Sequence, residues 1–348
     1  MTNMIFRREI NNNYPKLGIV NLKKTKSIGV MNNIFIGENH LNKYIIKVYR
    51  SDNLKKIINE HKILHLINGT IPNITFYLSN KNSETYTFSN KLKKYYGIYK
   101  YIDGTSPNSL KETSLLQIKE IAKDLKRINV LLLNIKNIDK DIIHRNIKTE
   151  FKNNINKLKN VLNFLKNKKT LNRKEEVIKI VLLKKIKQIS KNDFYNIKII
   201  SQSLVGIIHG DFAPTNLIFN GNTIEGILDW ENACFYNHVW EVFRSMCYCS
   251  SKNSFGIICS ELDKGKIMVF LKSYFSKGSV FQKREIEALK LMPKYYYFLD
   301  PYIISSYCLD NNKKIGKLIS IKTEDHFWLE NYYDEFILLV NKYADQRK

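Results

Sequence analysis

The chain has 348 residues, 44% of them apolar, 12% aromatic and 26% charged, which leaves ample material for a buried core and excludes wholesale disorder, collagen and a fibrous coil. Formal net charge is +25, from 57 basic and 32 acidic residues, but the excess is spread through a Lys-, Asn- and Ile-rich chain, as at 152–169, rather than gathered on one face. Nucleic acid is therefore not the expected partner, and a polyanion on the Lys-rich helices remains an alternative marked by steep salt dependence.

Residues 1–10 include Arg7, Arg8 and Glu9 with no apolar run behind them, so no export signal is expected. Apolar stretches such as 178–183 are broken by Lys long before the roughly 20 residues a bilayer requires, so no membrane partner is expected. Five cysteines without a CxxC pair suit a reduced cytoplasm better than a disulfide framework or a zinc knuckle.

From residue 28 to 49 the pattern is extended and reads as a hairpin, with a polar connection around Gly37, Glu38, Asn39 and His40. Alternation puts Tyr44, Ile46 and Val48 on one face of the second strand, and Ile45, Lys47 and Tyr49 on the other. Lys47 is thus a lone charge among apolar neighbours, either an edge-strand solubility device or a functional cation. A helix capped by Asp52 or Asn53 follows, with Leu54, Ile57, Ile58, Leu64 and Ile67 at helical spacing and Glu60 close to that stripe. Extended stretches at 75–78, 85–89 and 97–102 lead to the turn signal Asp103-Gly104, where a lobe boundary is expected.

Beyond it the periodicity becomes helical, first through Leu115, Ile118, Ile121, Ala122, Leu125 and Ile128, then as two helices within 151–190. The expectation is an α+β protein with a small β-rich lobe over 1–102 and a larger helical lobe over 103–348.

The segment 206–244 carries the chemistry. It reads His209-Gly210-Asp211-Phe212-Ala213-Pro214-Thr215-Asn216, then a β-forming run, Asn220-Gly221, a second run, and Leu228-Asp229-Trp230-Glu231. Asn220-Gly221 is the favoured two-residue hairpin turn, because both central positions need φ > 0. Such a hairpin folds Asp229 back beside Asn216. Clustered carboxylate and amide oxygens suit a hard cation such as Mg2+, which takes one or two protein ligands when phosphates supply the rest.

The spacing His-x-Asp-x-x-x-x-Asn followed by an Asp after a hairpin is similar to the catalytic and metal-binding segments of protein kinases. It resembles the aminoglycoside phosphotransferase family still more closely, a group that takes in choline-kinase-like, homoserine-kinase-like and methylthioribose-kinase-like enzymes. Its HGDxxxxN and Ile/Leu-Asp-Trp/Phe motifs match His209-Gly210-Asp211, Asn216 and Leu228-Asp229-Trp230.

The resemblance implies a protein-kinase-like two-lobed fold and transfer of the γ-phosphate of ATP, with GTP as the other candidate, to a hydroxyl of a small molecule. Asp211 is then the catalytic residue that orients the acceptor hydroxyl and takes its proton, and Asn216 and Asp229 hold Mg2+. Lys47 meets the α- and β-phosphates, fixed by Glu60. Gly29 and Asn32 correspond to the nucleotide-covering loop, and the backbone of Tyr101 and Ile102 to the adenine contact.

His209 is expected to brace the loop rather than to act as base. Trp230 and Trp240 read as core. The acidic, aromatic run 324–335 reads as a terminal amphipathic helix, or as a wall for a cationic acceptor. A non-catalytic scaffold, as in kinase-like spore-coat proteins, is the alternative function. Oligomeric state is not legible.

Overall fold

The structure, a computed structural model, describes residues 2–25, 32–51, 53–135, 138–189, 191–252, 262–299, 301–319 and 325–345. The chain divides into two compact units. The first comprises Met1–Asn108, Ile135–Ile143 and Thr215–Ala233, and the second Ser109–Asn134, His144–Pro214 and Cys234–Lys348.

In the first unit, α1 (Thr2–Asn13) precedes an antiparallel sheet of β1 (Asn21–Lys24), β2 (Asn33–Glu38), β3 (Lys43–Val48), β4 (Thr87–Ser89) and β5 (Lys94–Lys100), in the order β1-β2-β3-β5-β4. The even-numbered face of β3 points as alternation requires: Tyr44, Ile46 and Val48 join Phe35, Tyr96 and Ile98 in a core closed by Phe6, Ile10 and Tyr14. Those last residues recur at helical spacing, so α1 is an amphipathic cover for the sheet. The opposite face carries Lys47, paired in register with Ile34 on β2 and Gly97 on β5. There it meets α2 (Leu54–Leu66), which starts where the Asn53 side chain accepts from the Lys56 N–H.

This unit also takes in the hairpin of β7 (Leu217–Asn220) and β8 (Thr223–Ile227). Its turn is Gly221-Asn222, one residue later than the expected Asn220-Gly221: Asn220 ends β7 paired with Thr223, and of the turn residues only Gly221 has a positive φ, +60°. The unit therefore runs past residue 102 and reclaims a later segment, because the hairpin completes backbone pairs that the first hundred residues leave open. Thr105 and Phe219 exchange N–H···O bonds of 2.9 and 2.8 Å, and Ile227 N–H donates to Asn73 O at 2.8 Å. Gly104, at φ +144°, is required here, since a Cβ would lie 2.6 Å from the Phe219 carbonyl oxygen.

The second unit is mainly helical: α3 (Leu115–Leu133), α4 (Ile147–Asn167), α5 (Arg173–Gln188), α6 (Lys191–Ser201), α7 (His238–Ser250), α8 (Lys264–Tyr274), α9 (Lys283–Leu299), α10 (Tyr302–Cys308) and α11 (Asp325–Asp345). α3 begins in a capping box of Ser114 and Gln117 and buries Ile118, Ile121, Ala122, Leu125 and Ile128. β6 (Val205–Ile208) pairs with β9 (Cys234–Asn237), and their shared end presents His209 and Asp211. Among the described residues, no helix is long and apolar enough to cross a membrane.

Candidate active site

The residues singled out in the sequence fall into two groups, one in each unit. In the first, Lys47 is 4% exposed and its ammonium donates to Glu60 Oε1 and Oε2 at 2.9 and 3.2 Å and to Asp229 Oδ1 at 2.7 Å. An unpaired lysine in this place would lose its proton; burial does work against the charge, but Glu60 and Asp229 outweigh it and hold the pKa well above the ordinary lysine value. Glu60, 1% exposed on α2, also accepts from the Tyr77 hydroxyl at 3.0 Å. Tyr77 reaches it by lying flat on β5 where Gly97 leaves room, since a Cβ there would meet the ring at 2.6 Å. Lys47 is thus a held cation rather than an edge device.

Asp229 keeps one third of its side-chain surface open. It sits in the left-handed region at φ +60°, one residue after the Leu228 N–H donates to Asn216 O at 2.9 Å. The hairpin therefore returns the backbone of 228–229 to Asn216. A non-glycine residue in that conformation is a strain that neighbouring structure must hold.

Two further residues, on which the sequence reading placed no role, complete the group. Glu231 accepts from Lys56 at 3.1 Å and from the Asn32 side chain at 2.9 Å, and lies 3.8 Å from the Lys47 ammonium. Asn59, inside α2, donates to Ala233 O at 2.8 Å and accepts from the Ile143 N–H at 2.7 Å. Together they fasten the segment after Asp229 to α2. Asn32 is tied in the same cluster, whereas Gly29 lies outside the described residues. Tyr101 and Ile102 follow β5 directly; the Tyr101 N–H donates to Lys43 O at 3.0 Å, and Ile102 packs where Gly226 lacks a side chain.

In the second unit, Asp211 is a quarter exposed. Its Oδ1 accepts from the Tyr248 hydroxyl at 2.8 Å and from Arg244 Nη2 at 3.3 Å. Arg244 also donates to Gly210 O at 2.9 Å and to the Tyr248 oxygen. Burial opposes the Arg244 charge, but Tyr248 and Asp211 raise its pKa further; burial likewise lifts the Tyr248 phenol well above its usual value, so it stays a donor. The loop itself is gripped by the buried Glu241, which accepts from Gly210 N–H at 2.6 Å and His209 N–H at 3.1 Å. Burial pushes that carboxyl up to about 7, with the two backbone bonds opposing. His209 is fully buried, and its Nδ1 accepts from the Asp211 N–H at 3.2 Å. It braces the loop.

Arg244 and Tyr248 were missed in the sequence, although a signal existed: Glu241, Arg244 and Tyr248 recur at i, i+3 and i+7, one face of a helix. Of the acidic run at 324–335, Glu324 and the side chains of 325–330 lie outside the described residues. Tyr332 and Glu335 line a separate cleft with Lys252 and Lys264.

Among the described residues, no three His, Cys, Asp or Glu side chains are grouped to hold a metal by themselves. One carboxylate at the end of a hairpin, with an amide residue at its start, suits an ion that takes its remaining ligands from nucleotide phosphates and water, which is how Mg2+ binds. The donor set fits that ion and not a protein-enclosed metal.

Comparison with known proteins identifies the family and the fold. The profile of the phosphotransferase enzyme family matches residues 27–252, well over half of the chain. No curated protein matches the sequence. Among solved structures, an aminoglycoside phosphotransferase from Alicyclobacillus acidocaldarius is similar over 96% of both chains, with a TM-score of 0.65 and 11% identity. A spectinomycin phosphotransferase in complex with ADP and spectinomycin is similar over 99% of this chain and 98% of its own, with a TM-score of 0.59 and 12% identity. An amicoumacin kinase in complex with AMP-PNP, Ca2+ and Ami is similar over 95% of this chain and 93% of its own, with a TM-score of 0.55 and 12% identity. At such identities the likeness shows the fold, which is kinase-like.

Proposed function

This chain belongs to the phosphotransferase enzyme family, and from that premise we propose that it moves the γ-phosphate of ATP, with Mg2+, to a hydroxyl of a small molecule. The observation that carries the proposal is the buried ammonium of Lys47, held between Glu60 and Asp229. A cation kept charged in a dry place, beside a half-open carboxylate, is equipped to meet polyphosphate and a divalent ion.

In this reading the β-rich lobe binds the nucleotide. Lys47 exchanges Asp229 for the α- and β-phosphates while Glu60 keeps it in place, and the backbone of Tyr101 and Ile102 meets the adenine. Asn32, tethered by Glu231, and Gly29 cover the phosphates. Asn216 and Asp229 hold Mg2+, which neutralises charge on the transferring group when bound. The helical lobe binds the acceptor and supplies Asp211. Two donors on Oδ1 fix the position of that carboxylate, so it orients the acceptor hydroxyl and receives its proton late in the transfer. Buried thiols without a disulfide at Cys234, Cys249 and Cys308 are in keeping with a reduced cytoplasm.

The test is ADP release with MgATP and with MgGTP across aminoglycosides, choline, homoserine and methylthioribose, for the wild type and Asp211→Ala. Acceptor-dependent ADP formation lost in the variant supports the proposal. A folded protein that binds no nucleotide with Mg2+ present rejects it in favour of a non-catalytic scaffold.

A further inference from the structure

The second unit contains a cleft of about 280 Å3 walled by α4, α7, α9 and the start of α10. That is at the small end of the roughly 300–1,000 Å3 usual for ligand pockets, room for one ring or a short chain. Arg244 belongs to its wall and also binds Asp211, so the cleft and the proposed base share a residue. Its charged lining is Arg145, Lys157, Arg244 and a single carboxylate, Glu150.

That carboxylate is spent. Arg145 grips it with two bonds, Nε to Oε1 at 2.6 Å and Nη2 to Oε2 at 2.9 Å, and the Tyr236 hydroxyl donates to Oε2 at 2.6 Å. Asp211, which Arg244 links to this wall, is engaged by Arg244 and Tyr248. Lys157 stands exposed on the rim with no carboxylate within 4 Å among the described residues. The hydrogen-bonding surplus has the same sign: among the described residues, the buried polar atoms of the wall that lack a partner are Trp240 Nε1 and Arg244 Nε, both donors. Both guanidinium groups also flank the Trp240 ring, at 5.9 Å for Arg145 and 5.4 Å for Arg244. Each guanidinium is balanced by the acid it holds, so the surplus charge of the wall is Lys157: an acceptor rich in ammonium groups would find committed acids, whereas an acid group would find the Lys157 ammonium and the open donors of Trp240 and Arg244. The chain's net charge of +25 draws anions toward any such opening.

We propose that the acceptor is a small hydroxylated compound bearing an anionic group, with its hydroxyl toward Asp211 and its acid group at the Arg145–Lys157 end of this cleft. The inference deepens the phosphotransferase reading and rests on it. Transfer forms the bond from the acceptor oxygen to the γ-phosphorus and breaks the bond from that phosphorus to the β,γ-bridging oxygen. The hydroxyl proton passes to Asp211 and ADP leaves.

The experiment first measures MgATP binding by calorimetry, then acceptor-dependent ADP formation across sets that share a skeleton and differ in charge. One set is glucuronate, glucose, glucosamine and glucose 6-phosphate; another is homoserine, its methyl ester, and N-acetylhomoserine. Kanamycin and choline represent cationic acceptors. The expected result is MgATP binding together with kcat/KM at least tenfold higher for anionic members than for neutral or cationic partners of the same skeleton. The glucuronate and glucose 6-phosphate arms separate a carboxylate from a phosphate ester. Lys157→Glu should raise KM for the preferred anion at least tenfold while kcat falls far less, with MgATP affinity measured on the same sample as a check on folding. MgATP binding with preference for kanamycin, choline or glucosamine, or with no response to any anion, overturns this inference alone. Failure to bind MgATP overturns the reading beneath it.

Discussion

Replacing Lys47 by Met removes the cation between Glu60 and Asp229 and leaves Glu60, 1% exposed, with the Tyr77 hydroxyl. Breaking one side of a buried pair costs about 3–5 kcal/mol. Glu60 has an escape, which is to take up a proton. From the ordinary value of 4.5, protonation costs about 3.4 kcal/mol at pH 7 and about 1.4 kcal/mol at pH 5.5, at about 1.36 kcal/mol per pH unit. The penalty should therefore be capped near 3 kcal/mol at pH 7 and shrink by about 2 kcal/mol at pH 5.5. Asp229 adds little, because a third of its surface already faces water. The Lys47→Met, Glu60→Met double variant replaces the pair by apolar volume and should recover most of the loss. Urea unfolding of the wild type, both single variants and the double at the two pH values reads the coupling directly. MgATP affinity should stay lost in the double variant even where stability returns. A Lys47→Met penalty below about 0.5 kcal/mol, or one equal at both pH values, would refute the view that Lys47 and Glu60 form a dry charged pair.

Two further outcomes follow from other parts of the molecule. Folding lifts the Glu241 carboxyl from 4.5 to about 7, so the stability it contributes is full below about pH 4.5 and is lost as pH rises through about 7, a change of about 3 kcal/mol. Unfolding free energies from pH 5 to 8 should fall by an amount of this order, a slope that Glu241→Gln lacks even though it is less stable throughout. Gly104→Ala should destabilise by about 2 kcal/mol or more, through φ +144° and a Cβ at 2.6 Å from a carbonyl oxygen, whereas Gly221→Ala, at φ +60° with nothing within 4 Å, should cost about 1 kcal/mol in the same melts.

Much of this was legible because it is local. Period-two alternation isolated Lys47, helical spacing put Glu60 on α2, and Asn220-Gly221 marked, one residue early, the hairpin that returns Asp229 toward Asn216. These signals need only a few neighbouring residues. The helix α1 is equally local, since Phe6 and Ile10 recur at helical spacing with Tyr14 just beyond its end. The rest depends on encounters that no window contains. Tyr77 reaches Glu60 because β5 has a glycine at the crossing, and Glu231 meets both Asn32 and Lys56 only once β2 and α2 are assembled. The hairpin joins the first unit because Thr105 and Asn73 need backbone partners. The charge of the cleft beside Arg244 was hidden as well: overall basicity suggested no particular face, and the acidic run at 324–335 drew attention toward cations.

The central claim is that Asp229 and Asn216 recruit a divalent ion to a nucleotide that Lys47 receives. Calorimetric titration of ATP with and without Mg2+, in the wild type and Asp229→Ala, tests it most directly. Mg2+ should tighten binding in the wild type, and that gain should be lost in the variant. Nucleotide affinity indifferent to Mg2+, or a gain that survives Asp229→Ala, would contradict it.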